Sequence, residues 1–393
     1  MIRIDDAVIT AQTLEGRLAG ERQVEIGLGS KLTPSAQDLL RVQGVEIVRR
    51  EAGGQAPPTA TLAPAPAPAV PRAAGRQAFA GIFCPSIVLL DSHNRINHAE
   101  MERYINWLIE AGVHGLYPNG STGEFARLSQ EERQDVVRLV CEVNKGRVPV
   151  LTGASEANLR DVLKMAEYYA SLGVDAIALM PPYYYEISTE SLFEYFAEIA
   201  EESPLDILLC NIPQFTQELS IDLLERLLPY DLIFGTKDSS RDLPRLLNTM
   251  NCLRQQRPDY VVMTGCEELV FPSVLMGASG GTIATSGIVP EVIVELYEKA
   301  KSGDIERARE LQYRILDLIN LMLLGVNFPE GFKTGVAARG FDVGPARASS
   351  SASEQEYLIK LEAQINCVLA DMGYPVQGPR ACPATNLPPI VGR

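Results

Sequence analysis

Short β-prone apolar runs alternate with amphipathic segments along most of this chain. Between residues 81 and 301, eight such runs are each followed by a segment whose apolar residues recur every three or four positions. Eight strand–helix units are the number that closes a (β/α)8 barrel, whereas an open doubly wound sheet seldom needs so many. We therefore predict an α/β protein with a TIM barrel. The predicted strands are 81–89, 115–118, 148–152, 175–180, 206–210, 232–236, 260–264 and 281–285. The predicted helices are 98–111, 129–144, 158–172, 189–202, 219–228, 241–256, 267–277 and 290–301, with two more, 304–324 and 354–372, packed outside the barrel.

A small unit precedes the barrel. Residues 1–51 contain an alternating strand at 24–28, a helix that Thr33 caps and Gly44 ends, and a second strand at 45–48. A segment of about 50 residues is marginal as an independent fold. We therefore expect this N-terminal module to be stabilised by packing against a partner surface.

The remaining segments are rich in proline. Residues 52–77 consist largely of alanine and proline, which cannot bury a core and favour an extended linker. The predicted organisation is an N-terminal module (1–51), a linker (52–77), a barrel with C-terminal helices (78–373) and a Pro-rich tail (374–393).

The composition of the chain argues against several classes of function. The chain has a formal net charge of −15 and no block of clustered Lys or Arg, so a nucleic-acid binder is not expected. Its three histidines have no metal-ligand spacing, so we predict neither a metal site nor a cofactor. The N-terminus, with Asp5 and Asp6, does not resemble a signal peptide, and no apolar stretch is long enough to span a membrane.

Cysteine usage points to the cytoplasm. Seven cysteines are scattered along the chain without a C-x-x-C pair. We expect them to be reduced thiols of a cytoplasmic protein.

The candidate chemistry centres on Lys237, which follows the sixth predicted strand. Active sites of TIM barrels lie at the carboxyl ends of the strands. A neutral lysine amine there can attack a ketone and form a Schiff base, an electron sink for breaking or making the neighbouring C–C bond. Ser121 and Thr122, after the second strand, can hold a substrate carboxylate with hydroxyl and N–H groups. The alternative is a rim lysine paired with Asp238 or Glu124.

Six strings between residues 79 and 373 resemble the dihydrodipicolinate synthase / N-acetylneuraminate lyase superfamily in order and spacing. The resemblance implies a TIM barrel that forms a Schiff base with pyruvate or another 2-oxo acid, needs no cofactor and assembles as a homotetramer. The strings are Gly115-Leu116-Tyr117, Gly120-Ser121-Thr122-Gly123-Glu124, Pro182-Tyr183-Tyr184, Asn211-Ile212-Pro213, Gly235-Thr236-Lys237-Asp238-Ser239-Ser240 and Gly277-Ala278-Ser279-Gly280-Gly281-Thr282-Ile283.

The resemblance also assigns roles to single residues. Lys237 matches the Schiff-base lysine, and Ser121 and Thr122 match the hydroxyl pair that holds the carboxylate and relays protons. Tyr184 matches a tyrosine that family members lend to a neighbouring subunit. The further residues expected at the substrate are Gly123, Gly281, Thr282 and Phe215.

Two positions depart from the family pattern. Cys210 stands where the family usually has a tyrosine that orients the carbonyl and moves protons. We expect a thiol in this catalytic position, where it either substitutes weakly for the phenol or leaves a gap that a water fills. Phe215 stands where the synthase branch has an arginine for its second substrate. This second departure argues against the lysine-biosynthesis reaction and favours the lyase and sugar-acid aldolase branches.

The preferred function is a class I lyase that cleaves a 2-oxo acid reversibly to pyruvate and an aldehyde. A 2-keto-sugar-acid dehydratase starting from the same imine is one alternative. A barrel that binds a 2-oxo acid without turnover is the other.

The N-terminal module has its own resemblance. Residues 8–11 and 31–36, followed by 44–47, are similar to N-terminal segments of proteins encoded with bacterial microcompartments, notably in ethanolamine utilisation. This implies an adaptor that brings the enzyme to a shell or cargo partner inside a microcompartment. A generic appended interaction module is the alternative.

Overall fold

The structure is a computed structural model, in which the described part of the chain comprises residues 2–49 (except 5, 7, 16, 19 and 28), 78–325, 327–376 and 378–382. The predicted linker, 52–77, lies outside the described residues, as does the tail from residue 383 onward. The predicted division into four segments stays a prediction.

The N-terminal module is a small α/β unit. Thr33 caps its main helix by accepting the N–H of Ala36, and Gly44 ends that helix in the left-handed region with φ 65°. Both are the conformations that the sequence predicts at these positions. The elements are β1 (Ile2–Ile4), β2 (Val8–Ile9), α1 (Ala11–Leu14), β3 (Gln23–Ile26), β4 (Lys31–Leu32), α2 (Pro34–Gln43) and β5 (Glu46–Arg49). Parallel pairing joins β1, β3 and β5 in one sheet and β2 with β4 in another.

This module contacts the outside of the barrel. The Asp38 carboxylate on α2 forms ion pairs with Arg160 and with Lys164, the latter at 2.9 Å. Lys31 forms an ion pair with Glu201. The partner surface expected for the module is therefore provided by the chain itself.

Eight parallel strands form the barrel, as the sequence predicts. Their order is β7-β6-β13-β12-β11-β10-β9-β8, and a bridge between Leu116 and Val150 brings the two ends of the sheet together. An open doubly wound sheet is thereby excluded. The strands are β6 (Gly81–Cys84), β7 (Gly115–Leu116), β8 (Leu151–Gly153), β9 (Ala176–Leu179), β10 (Asp206–Asn211), β11 (Ile233–Asp238), β12 (Val261–Thr264) and β13 (Gly280–Thr282).

Helices surround the strands, and most begin at a side-chain cap. Ser129, for example, accepts the N–H of Glu132, whose carboxylate in turn accepts the N–H of Ser129. The helices are α3 (His98–Glu110), α4 (Gln130–Asn144), α5 (Leu159–Ser171), α6 (Thr189–Glu202), α7 (Ile221–Arg226), α8 (Leu243–Gln256), α9 (Val270–Leu275) and α10 (Pro290–Ser302).

Several strands are shorter than the sequence predicts, most clearly the first and the last. The first ends at Cys84 because Pro85, which lacks an N–H, follows it. The last ends at Thr282, and residues 284–287 form a turn of 3-10 helix. The apolar residues that follow each of these strands are still buried. The apolar run in the sequence is therefore longer than the strand itself.

Apolar side chains fill the barrel below its mouth. The ring of Phe83 occupies the space beside Gly115, where a Cβ would lie 2.2 Å from the ring. This close approach requires glycine on β7. The interior layer also contains Leu151, Leu208, Phe234 and Met263.

Three helices follow the barrel: α11 (Ile305–Met322), α12 (Glu330–Ala338) and α13 (Ala352–Asp371). The sequence predicts α11 and α13 but not α12, whose helix is short and begins directly after Pro329. The segment that leads into α12 reaches the mouth of the barrel, where Phe328 and Phe332 face a cavity.

The expectation that all cysteines are reduced differs from the structure. Cys367 and Cys382 form a disulfide, with their Cα atoms 5.1 Å apart. The chain turns back along α13 after the helix ends, so that two residues far apart in sequence meet. Ala381 donates its N–H to the carbonyl of Ala363 in this returning segment.

Among the described residues, no helix combines the length and apolar character needed to cross a bilayer.

Candidate active site

A cavity of about 290 Å³ opens at the carboxyl ends of the barrel strands. Its walls are formed by residues at the ends of β10 and β11, by the loop 117–125 and by residues of the segments 322–325 and 327–332. TIM barrels carry their active sites at this end. The cavity is thus the candidate active site.

Lys237 points into this cavity from β11 and is only 8% exposed. It lies opposite Cys210 of β10 and Met263 of β12 in the strand register. Its side chain fits because residue 265 is glycine, since a Cβ there would lie 2.1 Å from the Lys237 Cε and 2.8 Å from Nζ. The end of β12 therefore leaves room for one specific position of the amine.

The carboxylates that could neutralise Lys237 have other partners. The Asp238 carboxylate accepts hydrogen bonds from Asn211 at 2.8 Å and from the Arg245 guanidinium at 3.1 Å. Glu124 pairs with Lys333. Within the described residues, the Lys237 amine makes no ion pair. The alternative of a rim lysine paired with Asp238 or Glu124 is therefore not supported, because both carboxylates are bound to other groups.

The loop 117–125 is held in place from below. The Asn119 side chain donates hydrogen bonds to the carbonyl of Arg133 at 2.9 Å and to the hydroxyl of Tyr169 at 3.0 Å. Asn119 has a positive φ of 56°, and its carbonyl lies where a Cβ on Gly153 would be, at 2.0 Å. The loop is therefore preorganised before any substrate binds.

This loop presents two free donors to the cavity. The backbone N–H groups of Ser121 and Thr122 donate to no acceptor among the residues that the structure describes. Both residues also offer hydroxyl groups at the cavity wall. Adjacent N–H and O–H donors of this kind bind a carboxylate well.

Two other hydroxyls that line the cavity also have no partner among the described residues. The Oγ of Ser239 and the Oγ1 of Thr282 are buried and make no hydrogen bond among the described residues. Ser239 Oγ lies 2.1 Å from the position of a Cβ on Gly265, as does the Lys237 Cε. A hydroxyl thus lies next to the lysine side chain, on the side away from Cys210.

The thiol of Cys210 is buried between Lys237 and a phenol. Its Sγ lies 3.8 Å from the hydroxyl oxygen of Tyr117. Burial raises the pKa of the Cys210 thiol, and the positive charge of Lys237 opposes that increase. Burial also raises the pKa of Tyr117 well above its usual value. Both groups therefore carry their protons at neutral pH.

Glu267 lies at the same end of the barrel, buried at the cavity wall. Its Oε1 accepts hydrogen bonds from the N–H of Thr285 at 3.0 Å and from its hydroxyl at 2.9 Å. Burial raises the pKa of this carboxyl group, whereas the Thr285 donors oppose the shift. Arg241 lies nearer the opening, with a positive φ of 63° and its Nε 3.4 Å from a Glu268 oxygen.

Aromatic rings narrow the mouth. Phe215 is 51% exposed and its ring centroid lies 5.5 Å from that of Phe328. The segment carrying Phe328 is tied to the loop by the pairing of Glu124 with Lys333 on α12. The Arg127 guanidinium adds a second link by donating a hydrogen bond to the carbonyl of Phe328 at 2.7 Å. The C-terminal region thereby completes one wall of the site.

The structure brings most of the predicted site residues together. Gly123 and Gly281 instead pack against backbone, with a Cβ on them 3.0 Å from the Ser86 carbonyl and 2.9 Å from the Thr264 carbonyl. Tyr184 is 88% exposed on the outside of the single chain. The predicted residues that line the cavity are Lys237, Ser121, Thr122, Cys210, Phe215 and Thr282.

Other cavity residues were not predicted. Tyr117 and Ser239 lie inside strings that carry the family resemblance, yet nothing in the sequence shows that their side chains face the lysine. Phe328 and Phe332 follow the barrel by a whole helix, so only the tertiary fold brings them to the site.

Comparison with known proteins agrees with this geometry. Residues 78–367 match the model of the dihydrodipicolinate synthetase family. The chain belongs to this family. The match begins after the linker, so it does not include the N-terminal module.

Curated relatives are similar over the same region. The chain is 35% identical over 262 residues to a 4-hydroxy-tetrahydrodipicolinate synthase from Methanopyrus kandleri, covering 65% of this chain and 85% of the relative. It is 31% identical over 294 residues to an uncharacterized DapA-like lyase from Halobacterium salinarum, covering 75% and 94%.

Solved structures of the family superpose on the barrel. YagE, a prophage protein of the dihydrodipicolinic acid synthase family from E. coli K12 in complex with pyruvate, matches with a TM-score of 0.70 and 27% identity. That match covers 76% of this chain and 99% of YagE. A dihydrodipicolinate synthase from Bacteroides thetaiotaomicron matches with a TM-score of 0.69 and 28% identity, covering 74% and 98%. The protein is therefore a carbon–carbon lyase with the fold of Schiff-base, class I aldolases.

Proposed function

We propose that the protein forms a Schiff base between Lys237 and a 2-oxo acid and cleaves it reversibly to pyruvate and an aldehyde. The observation that carries this proposal is the buried Lys237 amine, which has no ion-pair partner and faces the same cavity as the free N–H groups of Ser121 and Thr122. An amine nucleophile and a carboxylate site are the two elements that imine chemistry on a 2-oxo acid needs.

The residues divide the reaction between them. The Ser121–Thr122 donors hold the carboxylate, and the amine attacks the adjacent carbonyl carbon and loses water to give an iminium ion. A base then removes the proton of the C4 hydroxyl, and the bond between C3 and C4 breaks. The electron pair of that bond forms the enamine, and C4 leaves as the carbonyl carbon of the aldehyde. Protonation and hydrolysis of the enamine release pyruvate.

Borohydride reduction tests the first step. Incubation with pyruvate and borohydride should add the mass of one reduced pyruvate to the wild-type chain and none to Lys237→Ala. Lys360→Ala is the matched control, because Lys360 lies exposed on α13 and pairs with Glu356 at 2.8 Å. A Lys237→Ala protein that acquires the adduct, or a wild-type protein that does not, contradicts the proposal.

The reaction is proposed to differ from that of the synthases, although the M. kandleri relative is named as one. Phe215 supports this difference, because an apolar ring at the mouth offers no charge to a second, anionic substrate. We expect no formation of 4-hydroxy-tetrahydrodipicolinate under conditions in which the imine forms. Formation of that product at a rate matching a synthase would assign the synthase reaction instead.

The dehydratase alternative shares the imine and differs in its product. Mass spectrometry of the products separates loss of water from cleavage into pyruvate and an aldehyde.

We further propose a homotetramer in which Tyr184 contributes to a neighbouring site. Tyr184 and Tyr185 stand out from the surface with their rings in edge contact at 4.7 Å, and Tyr184 has a positive φ of 85°. Exposed aromatic pairs of this kind favour an interface. Mixing Tyr184→Phe with Lys237→Ala subunits should restore activity above either alone, if the sites are shared between subunits.

The N-terminal module is proposed to act as an adaptor toward a microcompartment partner. Its resemblance to microcompartment-associated segments supports this role, and the family match starts only at residue 78. Deletion of residues 1–77 should leave imine formation intact and abolish copurification with shell proteins. Unchanged copurification would refute the adaptor role.

A further inference from the structure

The phenol of Tyr117 lines the same cavity as Lys237 and the loop that carries Ser121 and Thr122. Tyr117 directly follows β7, and its ring turns toward the loop, so that a Cβ on Gly120 would be 3.2 Å from Cζ. Its hydroxyl reaches across the barrel interior to within 3.8 Å of the Cys210 Sγ. The phenol therefore lies between the carboxylate-binding loop and β10.

Cys210 places that phenol near the amine. Cys210 and Lys237 are register partners on adjacent parallel strands, which run about 4.8 Å apart, so their side chains share one face. Both line the cavity with Tyr117. The thiol that the phenol contacts therefore lies on the same strand face as the lysine side chain.

The thiol is the weaker of the two candidates for proton transfer. An S–H group is a poor hydrogen-bond donor, whereas a phenol both donates and accepts well. Burial raises the pKa of both groups, so neither is ionised at rest. Because the Cys210 Sγ already lies 3.8 Å from the Tyr117 hydroxyl, we expect a larger tyrosine side chain at position 210 to compete with the Tyr117 phenol for this space.

We propose that Tyr117 is a catalytic residue that moves protons to and from the Schiff base, in place of a tyrosine on β10. This inference rests on the proposed function, since it concerns the same imine on Lys237.

The proton transfers balance in two steps. When the carbinolamine on Lys237 loses its hydroxyl, the Tyr117 phenol donates a proton to it. The C–O bond breaks, water leaves, and an iminium ion and a phenolate remain as a close pair of opposite charges. The phenolate then removes a proton from the methyl carbon of the pyruvate iminium, which gives the neutral enamine and restores the phenol. The reverse of this second step protonates the enamine after C–C cleavage.

The methyl protons of pyruvate report these steps without any aldehyde. In D2O, formation and reprotonation of the enamine exchange the methyl hydrogens for deuterium, which proton NMR follows directly. We expect Tyr117→Phe, which keeps the ring and removes only the hydroxyl, to slow exchange by about 10²–10⁴-fold with little change in the KM for pyruvate. Tyr260→Phe is the matched control, because that tyrosine is also buried, lies outside the cavity, and its hydroxyl makes no hydrogen bond within the described residues.

Exchange by Tyr117→Phe within about threefold of wild type overturns the inference. So does a slower rate that is explained entirely by a higher KM, since that indicates a binding role alone. The wild-type protein distinguishes these results from failure of the proposed function: if wild type neither exchanges nor forms the borohydride-trapped adduct, the function itself is refuted and this inference with it.

A swap of the two side chains separates chemistry from packing. The double variant Tyr117→Cys/Cys210→Tyr keeps the same two side chains and nearly the same volume, but presents the phenol from β10. We expect it to exchange at least tenfold faster than Tyr117→Cys alone. A swap that is no faster than that single variant contradicts a role for the phenol.

Discussion

Substitution of Gly265 by alanine tests whether the Lys237 amine works only from the position that the barrel gives it. An alanine Cβ would lie 2.1 Å from both the Lys237 Cε and the Ser239 Oγ, against 3.4–4 Å for ordinary contact. The lysine side chain must therefore move by more than an ångström. Because it is flexible, it can do so without disrupting the barrel, and we expect the fold to survive.

We expect Gly265→Ala to slow the reaction of the Lys237 amine and to leave the fold intact. A displacement of about 1 Å costs on the order of 100-fold in rate, which corresponds to roughly 2.7 kcal/mol of activation free energy. The assay is the rate at which the pyruvate adduct becomes trappable by borohydride, followed by intact mass. Thermal unfolding measured in parallel reports whether the barrel is intact.

Gly29→Ala is the matched control, because a Cβ at Gly29 meets no heavy atom within 4 Å and its φ is not positive. It should form the adduct at the wild-type rate. If Gly265→Ala does so too, within about threefold, then the position of the amine is not what limits imine formation and the reasoning is wrong.

Three further predictions concern the walls of the site. Arg133→Met should destabilise the barrel by about 3–5 kcal/mol in urea unfolding, because it leaves the buried Glu156 carboxylate without its bidentate partner at 2.7 and 2.8 Å. Burial already raises the pKa of Glu156 above 4.5, so the stability associated with its protonated form is present below that pH and lost as the pH rises. The variant should therefore be more stable at pH 5 than at pH 8, and equal stabilities would contradict this. Cys210→Tyr alone should overpack the interior, cost about 1–3 kcal/mol and exchange pyruvate protons no faster than wild type; a faster exchange would show that the site lacks a phenol. Phe215→Arg should raise kcat/KM for aldehydes that carry a carboxylate by on the order of tenfold, since a charged hydrogen bond contributes about 1.5–3 kcal/mol, while neutral aldehydes should not benefit.

The barrel fold could be predicted from the sequence because the spacing of apolar residues distinguishes strands from helices. Eight β-prone runs separated by amphipathic helices leave few arrangements, and the strand register then follows from closure of the sheet. Strand ends were less accessible. Residues 85–89 are mostly apolar and buried, like the strand before them. The sequence pattern therefore does not show where the strand ends.

The sequence by itself identified the candidate nucleophile, the candidate carboxylate-binding loop and the thiol on β10, because each lies within a short continuous string at the end of a strand. Only the tertiary structure decided what surrounds them. The pairing of Asp238 and Glu124 with other cations, the contact of Tyr117 with Cys210 and the arrival of Phe328 at the mouth join residues that are 7 to about 200 positions apart. Such contacts depend on how the strands and helices are arranged around the barrel axis. The local sequence around each residue cannot predict them.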